Sequence, residues 1–282
     1  MSDVDLSSMA VHTMTNKPWS INECIEHYAR RGIGGISIWK ETVEGEDLKQ
    51  VRRHLVDSGL TGVSYVRGGF FTGRTPEERD NAVKQNLARL SECAALGLPM
   101  IVLVCGATPQ QTPEENFEQI LAGVSSILPS ARDSGIKLAI EPLHPMYAGD
   151  RSAIACLDDA MAVCDAIRDP LVGIAVDTYH VWWERGLREK FQQMAAAQQL
   201  FAYHVCDFKP DMADLLQDRG IMGEGCIALR EFDLWMRETN FLKNGGFREV
   251  EIFSKKWWAE SQEAFLDEIV ESYRVHYLEP SH

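Results

Sequence analysis

The sequence predicts an α/β protein, a single (β/α)8 TIM barrel occupying residues 1–282 as one domain. Three observations predict it. Eight short, apolar, β-branched runs are spread along the chain, longer amphipathic segments separate them, and polar residues gather where the apolar runs end. Near-continuous apolar strands alternating with helices imply a parallel sheet covered on both faces. Eight such units in one chain imply that the sheet closes. A doubly wound open sheet is the alternative, but it usually carries a glycine-rich turn after its first strand. Here that turn, residues 13–20, reads TMTNKPWS and holds no glycine.

The runs, in order, are residues 9–14, 34–39, 61–67, 99–105, 137–143, 172–177, 201–206 and 248–253. The first intervening segment places Ile21, Cys24, Ile25 and Tyr28 on one helical stripe, with Ser20 as its N-cap. The segment 76–97 opens on Pro76 and closes on Gly97, as helix ends prefer. Residues 116–135 and 152–167 carry the same helical period.

Composition narrows the function classes. At 45% hydrophobic and 25% charged, the chain is ordinarily globular. Its 28 basic and 42 acidic residues leave a net charge of −14, which repels phosphate backbones, so no nucleic-acid partner is expected. Seven cysteines, an odd count without a Cys-x-x-Cys, argue against a disulfide framework or a thiolate zinc site. The opening MSDVDLSSMA lacks a basic region followed by an apolar run, and no apolar stretch reaches the roughly 18 residues that cross a bilayer. A cytoplasmic location without a membrane partner is therefore expected.

Chemistry concentrates at strand ends. Strand five ends in Ile140-Glu141-Pro142-Leu143-His144 and strand six in Val176-Asp177-Thr178-Tyr179-His180. Strand seven carries Tyr203-His204-Val205-Cys206-Asp207, and strand eight carries Val250-Glu251-Ile252-Phe253. In a parallel barrel these ends meet at one face, where active sites of this fold sit. Carboxylates among apolar neighbours are costly unless neutralised. A divalent cation held by Glu141, Asp177, His204 and Glu251 resolves that conflict. Oxygen-rich ligation with one imidazole suits Mn²⁺ first, then Mg²⁺, Co²⁺ or Zn²⁺. Such an ion acidifies a carbon-bound proton next to a carbonyl, and Glu141 and Glu251 are the candidate acid and base on either side of that carbon.

Further residues stand near these ends. His144 and Arg67 are candidate substrate contacts, the latter beside Gly68 and Gly69. Asp207 is expected to orient a ligand or cap the next helix. His12 lies within the first strand and reads as a satisfied core histidine, with a place facing the barrel interior as the alternative. The pairs Trp182-Trp183 and Trp257-Trp258 follow site strands, and Trp257 is a candidate sugar-facing wall. Lys255 and Lys256 read as a solvated pair.

Together these motifs resemble the sugar phosphate isomerase/epimerase superfamily, the xylose isomerase-like barrels that include tagatose/psicose 3-epimerases and inosose dehydratase. The resemblance rests on residues 140–143, 177–180, 204–207, Gly223-Glu224-Gly225 and 249–253, and is strong in the C-terminal half. It implies metal ligation by Glu141, Asp177, His204 and Glu251, acid–base work by Glu141 and Glu251, and substrate contact by His180. It also implies a substrate-binding arginine shortly after the strand-seven histidine. Here that stretch reads Phe208-Lys209-Pro210, and the nearest arginine, Arg219, lies in a longer loop expected to bring it back to the site. The implied activity is isomerisation or epimerisation of a small sugar, keto-sugar or sugar phosphate through an enediolate. Elimination from a keto-sugar or 3-keto-glycoside by a lyase or dehydratase is the alternative. A homodimer or homotetramer is implied. The related endonuclease IV type uses three metals and more histidines; this chain has eight histidines and a strongly acidic balance.

Overall fold

The computed structural model describes residues 5–278, so the amino-terminal stretch read for a secretion signal begins outside the described residues. The strands are β1 Met9–His12, β2 Gly35–Trp39, β3 Thr61–Gly69, β4 Met100–Val104, β5 Lys137–Ile140, β6 Val172–Asp177, β7 Leu200–Val205 and β8 Arg248–Val250. They follow one another in chain order around a closed barrel. Each overlaps one of the eight apolar runs read from the sequence.

The helices are α1 Ile21–Arg30, α2 Leu48–Ser58, α3 Pro76–Leu96, α4 Pro113–Ser134, α5 Leu157–Ile167, α6 Thr178–Val181, α7 Leu187–Ala196, α8 Leu229–Glu238, α9 Lys255–Trp258 and α10 Gln262–Tyr273. Helix α1 buries the expected stripe of Ile21, Cys24, Ile25 and Tyr28, and Ser20 and Glu23 close a capping box at its start. Thr75 and Thr112 do the same for α3 and α4, each with proline in the first turn. The second of these boxes starts α4 at Pro113 rather than Asn116. Helix α5 begins later than its period suggested, at Leu157. The preceding residues are bound elsewhere: the Ala153 amide donates to Gly106 O at 2.9 Å and the Leu143 amide to Ile154 O at 3.0 Å. Among the described residues, no helix is long and apolar enough to cross a membrane.

The chain divides into two compact units, residues 1–63 with 203–282, and residues 64–202. In the first, β1 pairs in parallel with β2 and β8, and β7 with β8. In the second, β3 to β6 pair in parallel in succession. The ladder in each unit continues one bond past a strand. The Glu251 amide donates to Val205 O at 3.1 Å, and the Glu141 amide to Leu103 O at 3.0 Å. Those bonds fix the backbone of two residues that the sequence singled out.

The start of β8 carries a structural ion pair. Arg248 is buried, its Nε donating to Asp233 Oδ1 at 2.6 Å and its Nη2 to Oδ2 at 3.1 Å. Its Nη1 reaches the Ser8 and Tyr273 hydroxyls at 3.0 and 3.2 Å. The Arg237 Nε adds a bond of 2.7 Å to Asp233 Oδ2 from the surface.

Candidate metal centre

Residues 64–202 position Glu141, Asp177, His180, His144 and Arg67. Glu141 is buried directly after β5, and Asp177 is buried as the last residue of β6. Asp177 also caps the short α6, its Oδ1 accepting from the Tyr179 amide at 2.8 Å. That turn brings His180 back, its Nε2 lying 3.6 Å from Asp177 Oδ2. The other nitrogen, Nδ1, accepts from the His144 amide at 3.2 Å. Burial lowers the His144 pKa, favouring the neutral ring. Arg67 lies in β3 and sets its guanidinium over the Phe70 ring, 4.9 Å from the centroid.

The other unit holds His204 and Glu251, with companions of which the sequence singles out His12. Glu249 and Glu251 lie two residues apart, so the period of a strand turns both to one face. Both are buried. Glu249 Oε2 accepts from Ser37 Oγ at 2.6 Å and lies 3.5 Å from His12 Nε2 and 3.8 Å from His204 Nε2. His12 Nδ1 lies between Glu251 Oε1 and the Trp39 indole N–H, 3.1 Å from each. The His12 and His204 rings meet edge to face with centroids 4.6 Å apart. His12, His204 and Glu249 thus offer donor atoms within 4.8 Å of one another. His12 is part of this cluster and not merely a packed core histidine.

Charges oppose burial here. Burial pushes the Glu251 carboxyl up, but the charges of His12 and Arg219 outweigh it and hold the group well below the usual range. Burial likewise raises Glu249, while the His12 hydrogen bond and the charges of His204 and His12 bring it below normal. Burial lowers the His12 pKa, but the Glu251 charge and the hydrogen bonds to both glutamates leave it raised. These carboxylates are ionised near neutral pH, the state a cation needs.

Arg219 is brought to Glu251 by the loop after β7. Its Nη1 donates to Glu251 Oε2 at 2.8 Å, and its backbone amide to Phe253 O at 2.8 Å. The loop is fastened by Asp207, which is buried. Its Oδ2 accepts from the Gly223 and Gly225 amides, both at 2.9 Å, and its Oδ1 from Phe208 at 2.8 Å and Ile227 at 3.0 Å. Gly223 has φ +96°, and a side chain there would strike the His276 ring. The expected task of Asp207 is corrected accordingly: it gathers loop amides, and the carboxylate facing His204 is Glu249. No short-range signal marks the Asp207 task, because its donors lie up to twenty residues away.

The tryptophans divide. Trp257 stacks on Phe265, with centroids 4.9 Å apart, and Lys256 covers its ring at 4.6 Å. Trp258 donates its indole N–H to Thr15 O at 3.0 Å. Lys255 pairs with Asp214 at 2.7 Å. All seven cysteines are free, and only Cys226 is exposed.

Comparison with known proteins agrees with this architecture. A protein from Sinorhizobium meliloti 1021 of solved structure is 32% identical, with a TM-score of 0.91 over 96% of this chain and 99% of that one. The IOLI protein, solved with a zinc atom, is 18% identical with a TM-score of 0.81, covering 95% and 97%. The Escherichia coli 3-keto-D-glucoside 4-epimerase is 17% identical with a TM-score of 0.76, covering 96% and 99%. At these two identities the likeness is one of fold. A probable endonuclease 4 from Protochlamydia amoebophila (strain UWE25) is 20% identical over 220 residues, 72% of this chain and 71% of that protein. A family model described as the xylose isomerase-like TIM barrel matches residues 25–269, and the chain belongs to that family.

Proposed function

We propose that this chain is a divalent-metal-dependent isomerase or epimerase of a small sugar, keto-sugar or sugar phosphate. Glu141, Asp177, His204 and Glu251 would hold one ion, with Mn²⁺ the best match to the donor set. One observation carries the reading: all four residues are buried at or just past strand ends, Glu141 and Asp177 in one unit and His204 and Glu251 in the other. Three carboxylates and an imidazole make an anionic, oxygen-rich donor set whose charge a divalent cation largely offsets, which fits the chemistry of the residues present.

When bound, the ion would supply Lewis acidity to the oxygens beside the reacting carbon. Glu141 and Glu251 would remove and return the proton at that carbon. His180 and His144 would hold substrate oxygens, and Arg219, Arg67 and Trp257 would shape the pocket around them. Glu249 would keep the proton of His204 on the nitrogen that faces it, as carboxylates do for metal-binding histidines. The zinc of the IOLI protein and the sugar substrate in the name of the 4-epimerase are consistent with this reading.

The test is solvent exchange. Metal-stripped protein is incubated in D2O with ketoses and 3-keto-sugars, with and without Mn²⁺, and followed by NMR. Metal-dependent deuterium incorporation next to the carbonyl with inversion of configuration is expected. Loss of water instead would assign the lyase reaction. No exchange with Mn²⁺, Mg²⁺, Co²⁺ or Zn²⁺ on any substrate would overturn the reading.

A further inference from the structure

Both oxygens of Glu251 are engaged by groups of the chain itself. His12 Nδ1 stands 3.1 Å from Oε1, and Arg219 Nη1 donates to Oε2 at 2.8 Å. The same Nη1 lies 3.3 Å from the Glu251 carbonyl oxygen, and the guanidinium sits 5.0 Å from the centre of the Phe253 ring. Arg219 is itself buried. It does not arrive on a loosely held loop. The Asp207 and Gly220 backbones exchange two bonds of 3.0 Å, and the Asp207 carboxylate binds four amides of the same loop.

The two partners of Glu251 differ in one respect. The guanidinium carries a fixed positive charge at any working pH. In a buried site its positive charge repels an incoming ion strongly over a few ångströms. We infer that Arg219 is an internal counter-cation of Glu251, one that competes with the divalent ion for this carboxylate and thereby sets the metal affinity of the site. The inference rests on Glu251 being a metal ligand. Without an ion, Arg219 shares with His12 the neutralisation of a buried carboxylate. With an ion, it is the group whose charge opposes binding.

An arginine that merely braced a ligand would have the opposite effect, because its removal would loosen the ligand and weaken metal binding. Mn²⁺ titration of the metal-stripped full-length chain by calorimetry separates the two. Arg219→Met should bind Mn²⁺ tighter than wild type by about tenfold or more. Arg219→Lys, which keeps the charge, should stay close to wild type. Should Arg219→Met fail to fold by circular dichroism, Arg219→Gln carries the same expectation. Wild-type binding with equal or weaker binding in the neutral variant would overturn this inference alone. Equal tightening in Arg219→Lys would also overturn it, since charge would not be the cause. No Mn²⁺ binding by any of the proteins would overturn this inference together with the metal-site reading.

Discussion

The two ends of β8 carry buried charge in different ways. At its start, Arg248 spends its donors on one carboxylate and two hydroxyls, and Asp233 spends its oxygens on two guanidinium groups. At its end, Glu249 and Glu251 share His12, His204, Ser37 and Arg219 at distances from 2.6 to 3.8 Å. The first arrangement matches one buried cation to one buried anion by a two-bond fork, with a second, exposed guanidinium outside it. The second crowds carboxylates beside titratable rings, which is costly as architecture. Within four residues, β8 and the residue after it thus separate charge that holds the fold from charge that the proposed function would use.

Substitutions can break or sharpen this contrast. The largest effect belongs to Glu251→Gln, which should lower turnover by roughly two to four orders of magnitude, the usual share of general acid–base catalysis. Rates on any substrate that the solvent-exchange assay reveals would check it, and an unaffected rate would remove Glu251 from the chemistry. Next is Asp233→Ala at the opposite end. Leaving Arg248 buried without its partner should cost about 3–5 kcal/mol of folding stability. A urea midpoint would measure that loss, with Mn²⁺ affinity of the folded protein unchanged. Glu249→Gln should weaken Mn²⁺ binding by about 10- to 100-fold, the usual consequence of losing the carboxylate behind a metal-binding histidine. The same titration that tests Arg219 would read it, and wild-type affinity would reduce Glu249 to a packing role. The smallest effect is Arg237→Ala. This arginine bonds the same Asp233 oxygen as Arg248 does, but its side chain is 51% exposed. Its loss should cost no more than about 1 kcal/mol by the same urea measurement. A cost equal to that of Asp233→Ala would show that burial is not what separates the two arginines.

Much of this is legible in the sequence because it is local. The strands are apolar runs, and the helix ends at Ser20, Pro76 and Gly97 are fixed by neighbours within a few residues. Glu141 and Glu251 stand out because a carboxylate beside an apolar strand is costly until a cation neutralises it. Helix α2 is not among the segments read from the sequence, although it buries Val51 and Leu55 one turn apart. Glu249 is hidden too. As one of a row of strand-end residues it looks redundant beside Glu251, and only the two-residue period shows that they share a face. The Asp207 task is illegible, since four amides converge on it only after the loop has turned through Gly223. The length of its loop points to Arg219, but the bond to Glu251 belongs to the folded chain.

That loop also carries the chain's one exposed cysteine. Cys226 lies between Gly225 and Ile227, two of the residues whose amides bind Asp207, and its own amide donates to Phe208 O at 3.0 Å. Five of the remaining cysteines are buried and Cys156 is half-buried. A thiol-reactive fluorophore would therefore attach first at this one place, seven residues from Arg219. The native chain thus comes with its own labelling point for optical spectroscopy, on the segment whose response to metal is of most interest.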